Sequence, residues 1–232
     1  MVDQRSDGSA AMKVAVITGG SHGIGAGLVT AYRREGWAVV ANSRTIEPSD
    51  DVDILTIDGD VSDSGTTDRI ATGALDRFGR IDTLVNNAGV FISKPFTDYT
   101  WDDYAHVVSV NLTGFFILTQ RAIGEMVGHG GGHIVNITTT LVDYANSKVP
   151  SALTSLTKGG LAAVTRSIAI EYASRGIRVN AVSFMGASGV RVLVGAHRLA
   201  TMSSVPLTLR RPSRTVVRVL AIAGVLDLIV AD

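Results

Sequence analysis

Cysteine is absent from this chain of 232 residues, and proline occurs only five times. Without cysteine there is no disulfide framework, no thiol nucleophile and no cysteine-ligated metal. Charge of either sign is not in excess either, since 21 Lys and Arg balance 21 Asp and Glu. A net charge of zero gives no reason to expect nucleic acid or an anionic membrane as a partner. The apolar stretch 216–231 contains Arg218 and Asp227 and is shorter than the about 20 residues of a bilayer span.

The length suits one α/β domain with a substantial core, and is short for two. Residues 1–12 are polar and acidic, where a secretory signal is basic and then apolar. We therefore expect a disordered N-terminal extension over residues 1–12, one folded domain over 13–183, and a cytoplasmic location.

A short apolar run, Val14 to Ile17, ends abruptly in a turn rich in glycine. Its β-branched residues favour a strand that is covered on both faces, as in a parallel sheet. Gly19, Gly23 and Gly25 lack a Cβ, so the turn can be tight and a pyrophosphate can approach the main chain. The helix that follows can direct its first N–H groups at that anion.

The spacing G-x-x-x-G-x-G resembles the cofactor turn of the short-chain dehydrogenase/reductase family, as does the Asn-Asn-Ala-Gly sequence at 86–89. The resemblance continues to about Ser183. It implies a single doubly wound, Rossmann-like α/β domain with a mainly parallel sheet. It also implies hydride transfer between NAD(P)(H) and a small carbonyl or alcohol substrate, in a homo-dimer or homo-tetramer. The cofactor-binding residues that it implies are Gly19, Ser21, His22, Gly23, Ile24, Gly25, Arg44, Asp60, Val61, Asn87, Ala88, Gly89 and Lys158.

The end of the second strand bears on the choice of cofactor. In this kind of fold an acidic side chain there accepts from the ribose 2′-hydroxyl, whereas a basic one accommodates a 2′-phosphate. Ser43 occupies the expected acidic position, and Arg44 follows it. Together with His22, these residues favour NADP(H) over NAD(H), although Arg44 could also be an ordinary solvated loop residue.

The catalytic pattern of the family is out of register. From Lys158 onward the sequence matches the segment that follows the family's lysine, and Thr154 then stands four residues earlier, where the family has its tyrosine. A threonine hydroxyl is far less acidic than a phenol, so Thr154 cannot act as the acid. The resemblance assigns the carbonyl-orienting hydroxyl to Thr139 and the water-holding amide to Asn111.

Three interpretations of the missing phenol remain open. Tyr144, in a loop beside the site, can supply the acid above Lys158. Alternatively, the protein binds NADP(H) without ordinary carbonyl reduction, as a sensor or an oligomer partner. A shifted pair, Tyr144 and Lys148, is disfavoured because Pro150 would break a helix that began at Tyr144. We expect the helix that carries Lys158 to run from Ser151 to Arg175. We expect it to pack through Leu153, Leu156, Leu161, Val164, Ile168 and Ile170.

The resemblance ends after Ser183, and the composition changes there. Residues 184–232 contain six arginines, no lysine, and only Asp227 and Asp232 as acids. We therefore expect an atypical C-terminal segment, and hypothesise a frameshifted or replaced end. Finding the family's usual C-terminus in another reading frame of the DNA supports this hypothesis, and its absence from every frame contradicts it.

Overall fold

The computed structural model describes residues 12–184. The expected extension, apart from Met12, and the expected C-terminal segment, apart from Phe184, lie outside the described residues. Six strands and five α-helices form this part of the chain, and the second strand is followed by the third without a helix between them. The strands are β1 (Val14–Thr18), β2 (Ala38–Ser43), β3 (Ile54–Asp58), β4 (Thr83–Asn86), β5 (Gly132–Thr139) and β6 (Ile177–Phe184). The α-helices are α1 (Gly23–Arg34), α2 (Ser64–Phe78), α3 (Trp101–Val108), α4 (Gly114–Gly128) and α5 (Ala152–Tyr172).

The strands form one parallel sheet in the order β3-β2-β1-β4-β5-β6. The chain runs outward from β1 to β3, returns to pair β4 with β1, and continues outward on the other side. This reversal makes the carboxyl ends of β1 and β4 a topological switch point, where ligands bind in open α/β sheets. The expected doubly wound α/β fold is confirmed.

The two faces of the sheet bury alternate residues of the same strands. In β1, Val14 and Val16 join a core that α2, α4 and α5 cover, whereas Ala15 and Ile17 pack towards α1. All four are almost completely buried. A strand buried on both faces reads as a continuous apolar run, and this explains the β1 sequence.

Helices α3 and α4 form one continuous helical stretch through a π-helical turn, Ser109–Thr113. Asn111 lies in this turn and is buried. Trp101–Gly128 is long enough for a membrane span and its most apolar window has a mean hydropathy of 1.2, but half of that window is buried inside the domain. Core helices share these properties, so the stretch is weak evidence for a membrane-spanning role.

Helix α5 begins at Ala152 with Ser151 as its N-cap, and Pro150 precedes the cap. This confirms that the helix starts after Pro150, and excludes a helix that carries Tyr144 and Lys148 on one face. One part of the packing prediction was wrong. Leu156 and Ile170 are exposed, by 59% and 82%, because they lie on the side of α5 away from the sheet.

Candidate functional site

The glycine turn after β1 contains two residues that require glycine for different reasons. Gly19 has a φ of +66°, in the left-handed region that favours glycine. Gly25, in the first turn of α1, packs on the turn itself, and a Cβ there would lie 1.9 Å from the carbonyl oxygen of Gly19. The turn therefore holds the first residues of α1 directly against the end of β1.

The end of β4 is hydrogen-bonded to the same turn. The amide Nδ2 of Asn87 donates to the carbonyl oxygens of Thr18 and Gly19, at 2.9 and 3.2 Å. The hydroxyl oxygen of Thr18 accepts from the backbone N–H groups of Asn87 and Ala88, both at 3.0 Å. Asn87 therefore fixes the shape of the glycine turn, and Ala88 and Gly89 are left beside the space in front of it.

That space is a cavity of about 500 Å³ at the carboxyl ends of the strands. It brings together most of the cofactor-binding residues that the sequence predicts: Gly19, His22, Gly23, Ile24, Arg44, Asp60, Val61, Asn87, Ala88 and Gly89 line it. Gly23 has open space around its Cα, so the backbone at the start of α1 is accessible to a ligand. Of the remaining predicted residues, Gly25 supports the turn, while Ser21 and Lys158 contact the residues that line the cavity.

A chain of hydrogen bonds links the turn to the end of β2. The hydroxyl of Ser21 lies 2.9 Å from Nδ1 of His22 and 2.8 Å from the hydroxyl of Ser43. The Ser43 oxygen also accepts from the backbone N–H of Thr45, at 3.4 Å. His22, Ser43, Arg44 and Thr45 all line the cavity. The sequence identified His22 and Arg44, but Ser21 and Ser43 are 22 positions apart, and their contact had no local signal.

Asp60 closes the same end of the cavity. Burial alone raises the pKa of its carboxyl, but the backbone N–H and hydroxyl of Ser62 both donate to it. With Arg44 and His106 also nearby, the pKa of Asp60 is held below its usual value. Asp60 is therefore an anion near Arg44. Asp63 caps α2 by accepting from the Thr66 N–H at 2.8 Å.

Lys158 lies below the inner end of the cavity. Its side chain is almost completely buried, and Nζ donates to the carbonyl oxygen of Ile137 at 2.9 Å. A Cβ at Gly89 would lie 3.1 Å from Nζ and 3.3 Å from Oδ1 of Asn111, so both groups meet at Gly89. Burial lowers the pKa of Lys158 to about 8.

Asn111, in the π-helical turn, forms hydrogen bonds to the loop after β4 and to α5. Its Oδ1 accepts from the Val90 N–H at 2.8 Å, and its Nδ2 donates to the Val90 carbonyl and to the Thr157 hydroxyl, both at 3.1 Å. The π-helical turn directs this side chain towards α5. Thr157 was not predicted from the sequence, because it is one of several threonines on α5 and only the fold brings it to Asn111.

No phenol stands one turn before Lys158. Thr154 occupies that place, is 4% exposed, and its Oγ1 is buried without a hydrogen-bond partner. Tyr144 lies in the segment between Thr140 and Pro150 and is 77% exposed. Thr139 lies at the end of β5, where its Oγ1 accepts from the Leu141 N–H at 3.3 Å. Within residues 12–184, no group of three or more His, Asp or Glu side chains is placed to hold a metal ion.

The family profile described as short chain dehydrogenase matches residues 13–188. The chain belongs to the short-chain dehydrogenase family. It is therefore a member of a family of oxidoreductases that bind a nicotinamide dinucleotide and act on small molecules. The match extends five residues beyond Ser183, the residue at which the family's sequence motifs end in this chain.

Curated relatives and solved structures agree with this assignment. An uncharacterized oxidoreductase of Methylorubrum extorquens is 35% identical over an alignment of 195 residues, and the match covers 80% of this chain and 75% of that protein. The 2-dehydro-3-deoxy-D-gluconate 5-dehydrogenase of Bacillus subtilis is also 35% identical, over 74% of this chain and 69% of that protein. The 3-ketoacyl-(acyl-carrier-protein) reductase of Brucella melitensis, complexed with NADH, matches with a TM-score of 0.68 and 29% identity, over 74% of each chain.

The chain also matches a short-chain dehydrogenase from Streptomyces avermitilis, with a TM-score of 0.70 and 30% identity. That match covers 75% of this chain and 66% of the Streptomyces protein. The chain thus spans about two thirds of the length of this family member.

Proposed function

We propose that this short-chain dehydrogenase transfers hydride between NADP(H) and a carbonyl or alcohol substrate. The observation that carries the proposal is the cavity of about 500 Å³, where the glycine turn, the Ser43–Thr45 segment, Asp60 and the Asn87–Gly89 segment meet. One dinucleotide needs all of these groups at once: an anion-binding turn, a reader of the adenosine ribose, and room beside the nicotinamide ribose.

The residues present fit the cofactor. The start of α1 lines the cavity with accessible backbone at Gly23, which suits a pyrophosphate. Asp60 and Val61 line the part of the cavity assigned to the adenine, and Ala88 and Gly89 line the ribose side. When bound, the nicotinamide supplies or accepts the hydride.

Preference for NADP(H) rests on the charges at the adenosine end. Arg44 and His22 line the cavity, and the position where an acidic residue would read a 2′-hydroxyl holds Ser43. A guanidinium favours a phosphate there by charge and by hydrogen bonding. Asp60 is an acidic residue of the same cavity lining, and Arg44 lies close enough to lower the pKa of its carboxyl.

We assign the catalytic part of the site, where the substrate meets the nicotinamide, to four residues: Asn111, Thr139, Tyr144 and Lys158. The Lys158 ammonium, beside Gly89, holds the nicotinamide ribose, and the Thr139 hydroxyl orients the carbonyl. A second cavity, of about 10 Å³, adjoins Asn111 and is about the size of one water molecule, which suits a proton relay there.

Proton delivery to the substrate oxygen is assigned to Tyr144. Its loop is connected to the loop after β4, because the Ser93 hydroxyl donates to the Pro150 carbonyl at 2.9 Å. Phe91, Ile92 and Val142 belong to the same two loops and suit a partly apolar substrate. Tyr144 is exposed, so a substrate must draw it inward for it to act as the acid.

A second candidate function is cofactor binding without carbonyl reduction. The position of Thr154 favours it, because a buried aliphatic hydroxyl stands where a phenol would be needed. The two candidates share the cofactor site and differ in turnover.

The first experiment is a calorimetric titration of the full chain with NADPH and with NADH, followed by NADPH oxidation with a panel of aldehydes and ketones. NADPH-selective binding with turnover supports the enzyme, and binding without turnover supports the second candidate. Failure of both nucleotides to bind overturns both. If Tyr144→Phe turns over as fast as the control Tyr104→Phe, Tyr144 is not the acid.

Oligomerisation and location complete the proposal. Phe116 on α4 and Leu156 and Ile170 on α5 are large apolar side chains exposed to solvent. We expect these side chains to be buried at the subunit interface of a homo-dimer or homo-tetramer. We also propose that the protein is located in the cytoplasm. The dinucleotide-binding domain is proposed to span 13–183, followed by an atypical segment over 184–232.

A further inference from the structure

A row of four buried polar side chains crosses the core beside the site. Its members are Thr119 on α4, Asn86 on β4, Asn136 on β5 and Thr165 on α5, and each is 5% exposed or less. None of the four lines the cavity of about 500 Å³. Buried polar groups cost stability unless they are hydrogen-bonded, so these side chains have to find their partners within the protein.

The hydrogen bonds of the row fix the direction in which each group points. The Thr165 hydroxyl donates to the Leu161 carbonyl at 2.7 Å, so its oxygen is available to accept from Asn136. Nδ2 of Asn136 donates to that oxygen at 2.9 Å, and Oδ1 of Asn136 is thereby turned towards β4. There Oδ1 accepts from Nδ2 of Asn86 at 2.9 Å, and the same nitrogen donates to Thr119 at 3.0 Å. Asn136 therefore links β4 to α5 in one orientation of its amide.

The residue after Asn136 makes the contact with Lys158. The carbonyl oxygen of Ile137 accepts from Nζ of Lys158 at 2.9 Å. Lys158 and Thr165 lie about two helical turns apart on the same face of α5. Two consecutive residues of β5 therefore hold two positions of α5, one through a bond between uncharged buried groups and the other through the lysine amine.

We propose that Asn136 and Thr165 are positioning residues for Lys158. Their hydrogen bond fixes where α5 lies along β5, and this holds Nζ against the Ile137 carbonyl and beside Gly89. The inference rests on the proposed function, in which the ammonium holds the nicotinamide ribose. Asn136 and Thr165 do not line the cavity, so they act on the ligand only through Lys158.

Apolar packing alone does not fix the position of Nζ. Other contacts of α5 with the core, through Leu161 and Ile168, depend on buried area and have no preferred direction. The space at Nζ is narrow, because a Cβ on Gly89 would lie only 3.1 Å away. Misplacement of a group in such a site by about 1 Å lowers activity on the order of 100-fold. A directional bond two turns from Lys158 supplies the precision that the apolar contacts lack.

Thr119 is the matched control for Thr165. Both are buried threonines that accept from an amide Nδ2 of the row. Thr119 lies on α4, Gly114–Gly128, which carries none of the residues assigned to the cofactor or the substrate. Thr119→Val and Thr165→Val each leave a buried amide N–H unpaired, so both should lower the midpoint of urea unfolding to a similar extent. We expect them to differ in their effect on Lys158.

The experiment measures, by calorimetry on the full chain, the dissociation constants of NADP⁺ and of 2′,5′-ADP, which contains the adenosine half but no nicotinamide ribose. We expect Thr165→Val to weaken NADP⁺ binding on the order of tenfold, the effect of one hydrogen bond to a charged group, and to leave 2′,5′-ADP binding unchanged. Thr119→Val should leave both constants unchanged. If the chain binds NAD⁺ more tightly, NAD⁺ and AMP replace the two ligands.

Rescue by a conservative variant gives a second readout. Thr165→Ser keeps the hydroxyl and should restore the affinity for NADP⁺. If Thr165→Val does not fold, Thr165→Cys takes its place, because sulfur is only a weak acceptor for the Asn136 amide.

Three results would overturn the inference. Thr165→Val could weaken both ligands equally, Thr165→Val could leave NADP⁺ binding unchanged, or Thr119→Val could weaken NADP⁺ selectively to the same extent. Failure of the proposed function is a separate result, in which the unmodified chain binds neither ligand.

Discussion

Gly25 packs against Gly19 so closely that a methyl group on Gly25 would lie 1.9 Å from the Gly19 carbonyl oxygen. The contact joins the first turn of α1 to the end of β1, and Asn87 donates to the same carbonyl from the end of β4. The anion-binding turn is thus fixed by backbone packing from two sides.

Gly25→Ala should therefore destabilise the domain and weaken dinucleotide binding together. Relief of the contact requires α1 to move away from the turn, and overpacking of this kind costs about 1–3 kcal/mol. Gly27→Ala is the matched control, since it lies on the same helix with no atom near its Cβ. We expect Gly27→Ala to stabilise by about 0.5–1 kcal/mol, as measured by urea unfolding. Equal stability of the two variants would contradict the packing argument.

Substitution by valine should change the free energy of unfolding in opposite directions at Thr154 and at Thr157. The Thr154 hydroxyl is buried without a partner, so Thr154→Val removes an unsatisfied group and should stabilise by about 1 kcal/mol. The Thr157 hydroxyl accepts from Asn111 and donates to the backbone of α5, so Thr157→Val should destabilise by about 1–3 kcal/mol. Chemical denaturation of both variants checks the prediction, which fails if both change stability in the same direction.

Lys158 should give stability a pH dependence above pH 8. Burial lowers its pKa from the ordinary 10.5 to about 8, so between these values the unfolded chain binds the proton that the folded chain has lost. The free energy of unfolding therefore rises with pH in this window, by about 3 kcal/mol at about 1.4 kcal/mol per pKa unit. Below pH 8 the cost of burying the ammonium is present in full.

Lys158→Met isolates this effect from the other groups that titrate at high pH. At pH 7 we expect the variant to be more stable than the unmodified chain, and to lose affinity for the dinucleotide. The difference in stability should shrink as the pH rises from 8 to 10.5. A constant difference across that range would show that the ammonium is not significantly desolvated.

Ile170→Glu should change the oligomeric state while leaving the subunit intact. Ile170 is 82% exposed, and surface substitutions usually change stability by less than about 0.5 kcal/mol. If α5 forms an interface, a buried carboxylate there will shift an oligomer towards monomer in light-scattering measurements. Val52→Glu, at another exposed apolar position, serves as the control. A monomeric unmodified chain, or an unaltered oligomer in Ile170→Glu, would contradict the proposed interface.

The sequence predicted the fold well because the apolar runs of buried parallel strands are local signals. β1 and the turn after it were identified from consecutive residues, and most of the predicted cofactor residues line one cavity. The register of α5 could also be predicted, since Pro150 excluded an earlier start. The helix predicted over Ser151–Arg175 is α-helical over Ala152–Tyr172 and ends in a 3₁₀ turn at Ala173–Arg175, a difference of the kind that helix ends commonly show.

What the sequence did not reveal depends on contacts between distant segments. Ser21 meets Ser43, and Asn111 meets Thr157, across 22 and 46 positions. Leu156 and Ile170 were predicted as packing residues of α5 but are exposed in the subunit, because an apolar face on a helix does not indicate whether the sheet or another subunit covers it. The burial of the Thr154 hydroxyl likewise follows only from the folded surroundings.

The π-helical turn at Ser109–Thr113 rotates the side chains of α4 about the helix axis relative to those of α3. A π turn accommodates one residue more than an α turn, which rotates the following residues by about 100° relative to an uninterrupted helix. Asn111 can thereby face α5 while Leu118 and Met126 face the sheet. A single-residue deletion within this turn would restore a regular helix, and either the amide or the core of α4 would lose its partners. The number of residues in this segment is therefore constrained by the direction in which the later side chains face. Helix length is not the constraint, because a helix of 27 residues is almost as long as one of 28.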